Sequence, residues 1–469
     1  MQIRFHQPSR KKFGSLIGTH LTALALIFSA ALVHAQENGS GISSSSAPIT
    51  LEAAIREALK KSEEALILIE KKNKFSALKR EAWAGGFPQI TANASAGRAA
   101  VAQDPSVFPF PMPDPSVFNI EQNRFAWDIE FQQSIFSFGR LSQAIKVAGI
   151  QERAENSSRT RSIQQLQLQV LDAYYAALNA KARLQTLEAS EKRAKETQAY
   201  LESNFKMGAG LRSNTLRALT ALKSLEPERI HAERDAKGAE MMLNRILGRE
   251  VNAPISLDTT AHLEIPGLTT IPDEAALEKI IDERPDIKSL ELNRQSLQGQ
   301  AKYLRMQYLP SLGAQGKYGI TAFKLNQFGD REKNQEWQIG LGLRWPLFDG
   351  FSFAAKAQQI ESEANSLGLT ARQIRKMSQV EIGGAYLDYK AADSALSAAE
   401  QAVQAAQEAQ SMISEEFRAG KGALTDLLSA EESLRGASLG VLNARYGSIR
   451  SRAALRLALG KSLINEESP

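Results

Sequence analysis

Cysteine is absent from the 469-residue chain. Its absence excludes thiol catalysis, disulfides, thiolate metal sites and, because bacterial lipoproteins are acylated on an N-terminal cysteine, an acyl anchor. Histidine is scarce. His6, His20 and His34 lie in the first 35 residues, which leaves His231 and His262 far apart among charged or loop residues. Neither a paired-histidine metal site nor a Ser/His/Asp triad has raw material, and the chain has no phosphate-binding loop and no GxSxG elbow. No catalytic, cofactor or metal site is expected, and the chain does not read as an enzyme. Long hydrophobic runs are also missing, apart from Leu21 to Val33. Preceded by Arg4, Arg10, Lys11 and Lys12 and followed by Val33-His34-Ala35, that run is too short to span comfortably. It predicts a signal peptide over 1–35, cleaved after Ala35, rather than a membrane anchor. Its removal leaves 53 basic against 52 acidic residues, so the sequence pI near 9.1 is largely a property of the leader. With no basic patch and no nucleic-acid motif, nucleic acid is not an expected partner.

What the chain has is an internal repeat. AAIREALKK (53–61) aligns with AALEKIIDE (275–283), and FPQITANASA (87–96) with LPSLGAQGKY (309–318), both at an offset of 222. DAYYAALNAKA (172–182) aligns with GAYLDYKAADS (384–394), and FKMGAGLRSNTLRA (205–218) with FRAGKGALTDLLSA (417–430), both at 212. The change of ten falls after residue 96, where DPSVF occurs at 104–108 and again at 114–118. A short duplication there predicts exposed loops over 99–124 and its partner 321–336.

Each repeat reads as helix, strand, loop, strand, very long helix, tight turn, helix. Four stretches alternate with period two, clearest in WQIGLGLRWPLF (337–348), and each is about ten residues, the length of a tilted transmembrane strand. A half-buried strand of a soluble sandwich would alternate in the same way. The helices decide between these readings. Residues 141–205 and 353–416 contain no proline and could each reach about 95 Å, which no globular domain of this size needs. From Ala391 through Ala395, Ala398, Ala402, Ala405 and Ala409 to Met412, small residues keep a strict 4,3 spacing that favours close helix approach. Four strands cannot close in a bilayer without leaving edge N–H and C=O groups in hydrocarbon, so other copies must complete the barrel. Twelve strands from three chains would suffice, although the strands alone leave the number open.

At this point the chain resembles the TolC-like outer membrane efflux proteins. The resemblance rests on ITLEAAIREALKKS after the leader, ERPDIKSLELN (283–293), Leu309-Pro310 with its counterpart Phe87-Pro88, WPLFDG (345–350), and the paired F-x-x-G-x-G turns. It implies an α+β membrane protein with an internal duplication. Three chains would form a homotrimer with a 12-stranded outer-membrane β-barrel, four strands per chain, continued by a long periplasmic α-helical barrel. The layout is then a signal peptide over 1–35; a first repeat over 36–248, with strands near 87–98 and 125–136, a long helix near 141–205 and a tip turn at 205–210; and an equatorial linker over 249–273. A second repeat follows over 274–460, with strands near 309–320 and 336–347, a long helix near 353–416 and a tip turn at 417–422, and then a tail over 461–469.

The resemblance also implies partners: a periplasmic adaptor protein met by the tips, an inner-membrane pump, and outer-membrane lipid. The adaptor-contact tips are Met207, Gly208, Ala209 and Gly210, with Ala419, Gly420 and Gly422. The pore gate falls on Asp426 and its counterpart Asn214, with Ser429 standing where the family has a second acidic position. Gly422 stands where the family has a gating basic residue, and Lys421 and Arg418 are candidate substitutes. Trp127, Trp337 and Trp345 are the expected membrane-interface aromatics. The implied function is the passive exit duct of a tripartite efflux or type I secretion system, located in the outer membrane and reaching into the periplasm. The competing reading is a periplasmic coiled-coil structural or adaptor protein without a pore, which gives the alternating strands and their tryptophans no purpose. The exported substrate is not legible.

Overall fold

The computed structural model describes residues 48–102, 119–258, 273–322 and 335–464; the expected signal peptide and most of the two expected loops lie outside the described residues. Helices α1 (Leu51–Lys61) and α2 (Glu63–Ala84) lead into strands β1 (Gln89–Ala102) and β2 (Asn119–Phe136). Then come α3 (Arg140–Lys206) and α4 (Arg212–Ile246). The second repeat runs α5 (Glu274–Glu283), α6 (Pro285–Arg305), β3 (Ser311–Ala322), β4 (Gln335–Arg344), α7 (Ser352–Arg418) and α8 (Leu424–Ala458).

The repeat is visible in the helix lengths. Both α3 and α7 have 67 residues and both α4 and α8 have 35. At 1.5 Å per residue these are about 100 Å and about 52 Å. The strands form one antiparallel sheet in the order β1-β2-β3-β4, so its central pair joins the two repeats.

Three boundaries differ from the sequence expectation, each for a physical reason. The ladders run on past the expected loop boundaries, so residues 99–102 and 119–124, and likewise 321–322 and 335–336, are strand rather than loop. β4 ends at Arg344 instead of near 347, because Pro346 has no N–H to give a ladder. The segment 274–308 reads as one helix but forms α5, α6 and a 3-10 turn over Met306–Tyr308. Proline disfavours the helical region for the residue before it, and Arg284 sits at φ −58°, ψ 138°, whereas α4 carries Pro227 within its length.

The main core lies where the helices of the two repeats converge, midway along the hairpins. Leu51, Ile55 and Ala58 of α1 pack on Leu166, Val170, Leu171 and Tyr174 of α3, with Leu243 and Leu247 closing one side and Leu463 and Ile464 the other. The Tyr174 hydroxyl lies 2.8 Å from the Ile49 carbonyl and 2.9 Å from that of Asp258. Burial, reinforced by Tyr175 and Asp258, pushes its pKa up to about 12, so it stays a protonated donor. A smaller core gathers Ile281, Ile287, Ile382, Leu455 and Leu459.

Candidate functional site

The sheet separates two chemistries by strand parity. On one face the ladder aligns Ala92, Ile129, Tyr318 and Trp337, and beside them Ile90, Phe131, Gly316 and Ile339. This face is unpartnered, with Trp337 68%, Ile339 78% and Leu341 71% exposed. The other face is polar. Asn93 donates to Asp128 (3.0 Å), and the Lys317 ammonium lies between Asp128 (3.5 Å) and Glu130 (3.4 Å). β4 has ten residues, about 34 Å long; a barrel tilt near 40° leaves about 26 Å, close to the apolar band of an outer-membrane barrel.

Of the expected interface aromatics, Trp127 meets Tyr318 edge to face at 6.1 Å, and Trp337 is the ladder partner of the same tyrosine. Trp345 lies at the other end of β4, past the ladder, where its indole N–H donates to the Tyr308 carbonyl (3.2 Å).

Strand passes to helix through the same turn in both repeats. Ser137 and Asp349, 212 apart, each accept from the backbone N–H four residues on: Leu141 to Ser137 Oγ at 3.3 Å, and Phe353 to Asp349 Oδ2 at 2.7 Å. Between cap and helix stand two left-handed residues, Phe138 (φ 50°) and Gly139 (φ 83°) in one repeat, Gly350 (φ 66°) and Phe351 (φ 62°) in the other. Glycine adopts this conformation freely, while phenylalanine pays about 1–2 kcal/mol. In β2 a bulge between Ser134 and Phe136 places Phe136 opposite Leu312, on the apolar face.

At the far end of the hairpins, both tips close by one device. Gly208 (φ 78°) and Gly420 (φ 76°) take the left-handed turn, and the next N–H bonds back five residues, Ala209 to Asn204 (2.9 Å) and Lys421 to Glu416 (2.9 Å). The second glycine serves closeness: a Cβ on Gly210 would lie 3.2 Å from the Phe205 nitrogen, and one on Gly422 3.1 Å from the Phe417 nitrogen. Met207 is exposed at the first tip, as is Leu211. The tips are neighbours within the chain. Leu201, Ala218 and Leu424 form a small core under Phe417, whose ring meets Tyr200 at 6.1 Å.

The expected gate residues hold matching places beside this core. Asn214 and Asp426 each donate a backbone N–H to the carbonyl three residues before, at 3.0 and 3.2 Å, in the first turns of α4 and α8. Asp426, Ser429, Lys421 and Arg418 are all exposed, and among the described residues none of the charged ones is ion-paired. A feature the sequence reading missed lies one and a half turns further on. Glu431 accepts from Arg193 of α3 (2.6 Å) with one oxygen and from Gln410 of α7 (2.8 Å) with the other, tying three helices. Nothing in the spacing signals it, because its partners are distant in sequence.

No helix among the described residues is long and apolar enough to cross a membrane, and no group of three His, Asp or Glu is placed to hold a metal ion.

A family model described as outer membrane efflux protein matches residues 71–249 and 276–461. Outer membrane protein TolC of Vibrio cholerae is 25% identical over 360 residues, covering 72% of this chain and 77% of that protein. The alkaline protease secretion protein AprF of Pseudomonas aeruginosa is 26% identical over 348 residues, covering 71% and 69%. Among solved structures, the Campylobacter jejuni CmeC outer membrane channel superposes with a TM-score of 0.73 at 18% identity, covering 87% of this chain and 85% of that one. The open state of the Neisseria gonorrhoeae MtrE outer membrane channel gives 0.71 at 19% identity, covering 91% and 95%.

Proposed function

This chain belongs to the outer membrane efflux protein family, and from that premise we propose that it works as a homotrimeric exit duct with no chemistry of its own. The observation that carries the proposal is the sheet: one apolar face, one polar face, and β1 and β4 each with a neighbour on one side only. Unpaired strand edges are not tolerated in hydrocarbon. Pairing β4 of one copy with β1 of the next, three times, gives 12 strands with the Asp128, Glu130 and Lys317 face turned inward to water. Cargo would cross this lumen passively, with energy supplied by an inner-membrane pump through a periplasmic adaptor.

The tips are the proposed adaptor contact. Met207, Gly208, Ala209 and Gly210 on one side and Ala419, Gly420 and Gly422 on the other form two exposed turns of matched geometry, and Met207 with Leu211 gives an apolar point of contact at the hairpin ends. Asp426 is the proposed gate. It is exposed in the first turn of α8, and three copies around an axis would focus a negative potential and favour cations. Asn214 and Ser429 remove the other carboxylates from that ring. Lys421 and Arg418 are the nearest basic side chains in sequence.

The duct is tested by extraction and conductance. The protein should leave membranes only with detergent and give single-channel currents in planar bilayers. Release by osmotic shock, without conductance, would return the reading to a periplasmic coiled-coil protein without a pore.

A further inference from the structure

The polar face of the sheet hollows out near the helices. Three glutamines, Gln89, Gln132 and Gln315, stand in one ladder row across β1, β2 and β3. The next row of this face toward the helices holds Ser134, Gly313 and Gly342 on β2, β3 and β4, and the row after it pairs Ser311 with Arg344. Long polar side chains thus border a row that has almost none. The space between them is a recess of about 520 Å³, lined also by Arg140 at the start of α3.

The β4 glycines in this region are not demanded by the backbone. A Cβ on Gly340 or Gly342 would meet no atom within 4 Å, and neither residue has positive φ. Glycine weakens a strand interior, and where no turn or close contact calls for it, it marks space kept for a ligand.

Charge indicates which ligand. None of the residues lining the recess is acidic, and two are arginines. Arg344 is exposed and in no ion pair among the described residues; Arg140 donates to the Gln307 side chain (3.1 Å) and is likewise without a carboxylate. The side-chain amides of Gln89, Gln132 and Gln315 have no hydrogen-bond partner among the described residues. In the next row away from the helices Glu130 meets Lys317 at 3.4 Å, and that ammonium is shared with Asp128 at 3.5 Å, so those charges are already matched.

We infer that the recess binds an oxyanion, the carboxylate or phosphate of a small solute, with the Arg344 guanidinium as its main counter-charge and the glutamine amides bonding the polar groups beside it. A guanidinium suits this ligand because it meets an oxyanion with two parallel N–H bonds. The setting rests on the duct reading: the recess opens on the face turned to the lumen water, where barrel meets helices, and three copies would offer three handholds to an anionic solute in transit.

Calorimetric titration of the purified protein in detergent with citrate, and separately with tripolyphosphate, tests the recess without any current. Wild type should bind at least one of them. Arg344→Gln should weaken that binding about tenfold or more, as expected for loss of one charge-assisted contact. Gly342→Leu keeps both arginines but fills the hollow, and should weaken binding to a similar degree. Arg372→Gln, at an exposed arginine of α7 outside the recess, should change nothing. No binding by wild type, an equal loss in Arg372→Gln, or full binding by Gly342→Leu overturns the site, the last because diffuse surface charge would then suffice. In planar bilayers citrate should lower the single-channel conductance of wild type more than that of Gly342→Leu. Bound citrate that leaves the current unchanged overturns the recess as a station on the conducting path. A wild type that binds through Arg344 but passes no current fails the duct reading and leaves the recess standing.

Discussion

Ser62 and Arg284 hold equivalent positions in the two repeats, each an extended residue between two helices, and each lies by a left-handed glycine that ends the returning helix of its own repeat. In the first repeat that glycine is Gly248, where a Cβ would lie 2.4 Å from the Lys61 carbonyl; in the second it is Gly460, 3.1 Å from Arg284 Cγ. The backbone is repeated but what holds it together is not. Around Ser62 the core is large, and a hydroxyl accepting from the Ala65 N–H (3.2 Å) is enough polar chemistry. Around Arg284 the apolar cluster is small, and the guanidinium, 2% exposed, donates to Asp286 (2.8 Å), Glu381 (2.8 Å) and the Ala458 carbonyl (2.8 Å). Arg161 stands behind them, bonded to the Leu457 carbonyl (2.9 Å). A duplicated fold thus keeps its geometry while exchanging apolar burial for a charge network, because either can fix a helix break.

The largest effect should come from the glycines. Gly248→Ala meets backbone as well as an unfavourable φ and should cost about 3 kcal/mol or more, while Gly460→Ala meets a side chain that can yield and should cost about 1–2 kcal/mol. Denaturant unfolding in detergent measures both, and equal losses would break the comparison. Next, Arg284→Met should cost about 3 kcal/mol, the low end for breaking a buried pair because Glu381 keeps access to water, against about 1 kcal/mol for Ser62→Ala. A third effect depends on pH. Burial opposes ionisation of Asp286, but the Arg284 guanidinium, helped by Arg161, outweighs it and holds the carboxyl below its ordinary range. A lowered folded pKa stabilises above the unfolded value near 3.9, and that stability is lost as pH falls through the folded value. Asp286→Asn should therefore be less stable than wild type at neutral pH and converge with it in acid; a gap that persists in acid would assign the loss to shape rather than charge. The smallest structural effect belongs to Asp426→Ala, which should leave unfolding unchanged and relax the cation preference of the pore. Unaltered ion selectivity removes Asp426 from the gate.

The repeat, the four alternating strands and the glycine turns were legible because each is a local pattern: parity, helical period, or a residue type that one conformation demands. The break at Pro285 was only half legible in this way, since Pro227 stands inside α4 without ending it. Arg284 was not legible. Its partners are at 286, 381 and 458, and a lone arginine before a proline carries no mark of burial. The left-handed phenylalanines were hidden for a different reason, since sequence favours glycine wherever φ is positive and each joint supplies one. At the candidate site, Gly208 and Gly420 take the left-handed conformation that a tight turn asks of glycine, whereas the tie from Glu431 to Arg193 and Gln410 depends on which helix faces meet, and only packing decides that.

The equal arms, 67 and 35 residues in each hairpin, make the molecule a pair of matched rulers. Removing one residue from α7 alone would lift its tip by about 1.5 Å and turn it by about 100°, carrying Asp426 out of plane and off its bearing together. Seven residues added to every arm would lengthen the tunnel by about 10.5 Å with only about 20° of drift. Length in such a chain is therefore quantised and shared: the tunnel can be lengthened in steps of whole heptads taken by all arms at once, and a change in one arm alone alters the aperture before it alters the reach.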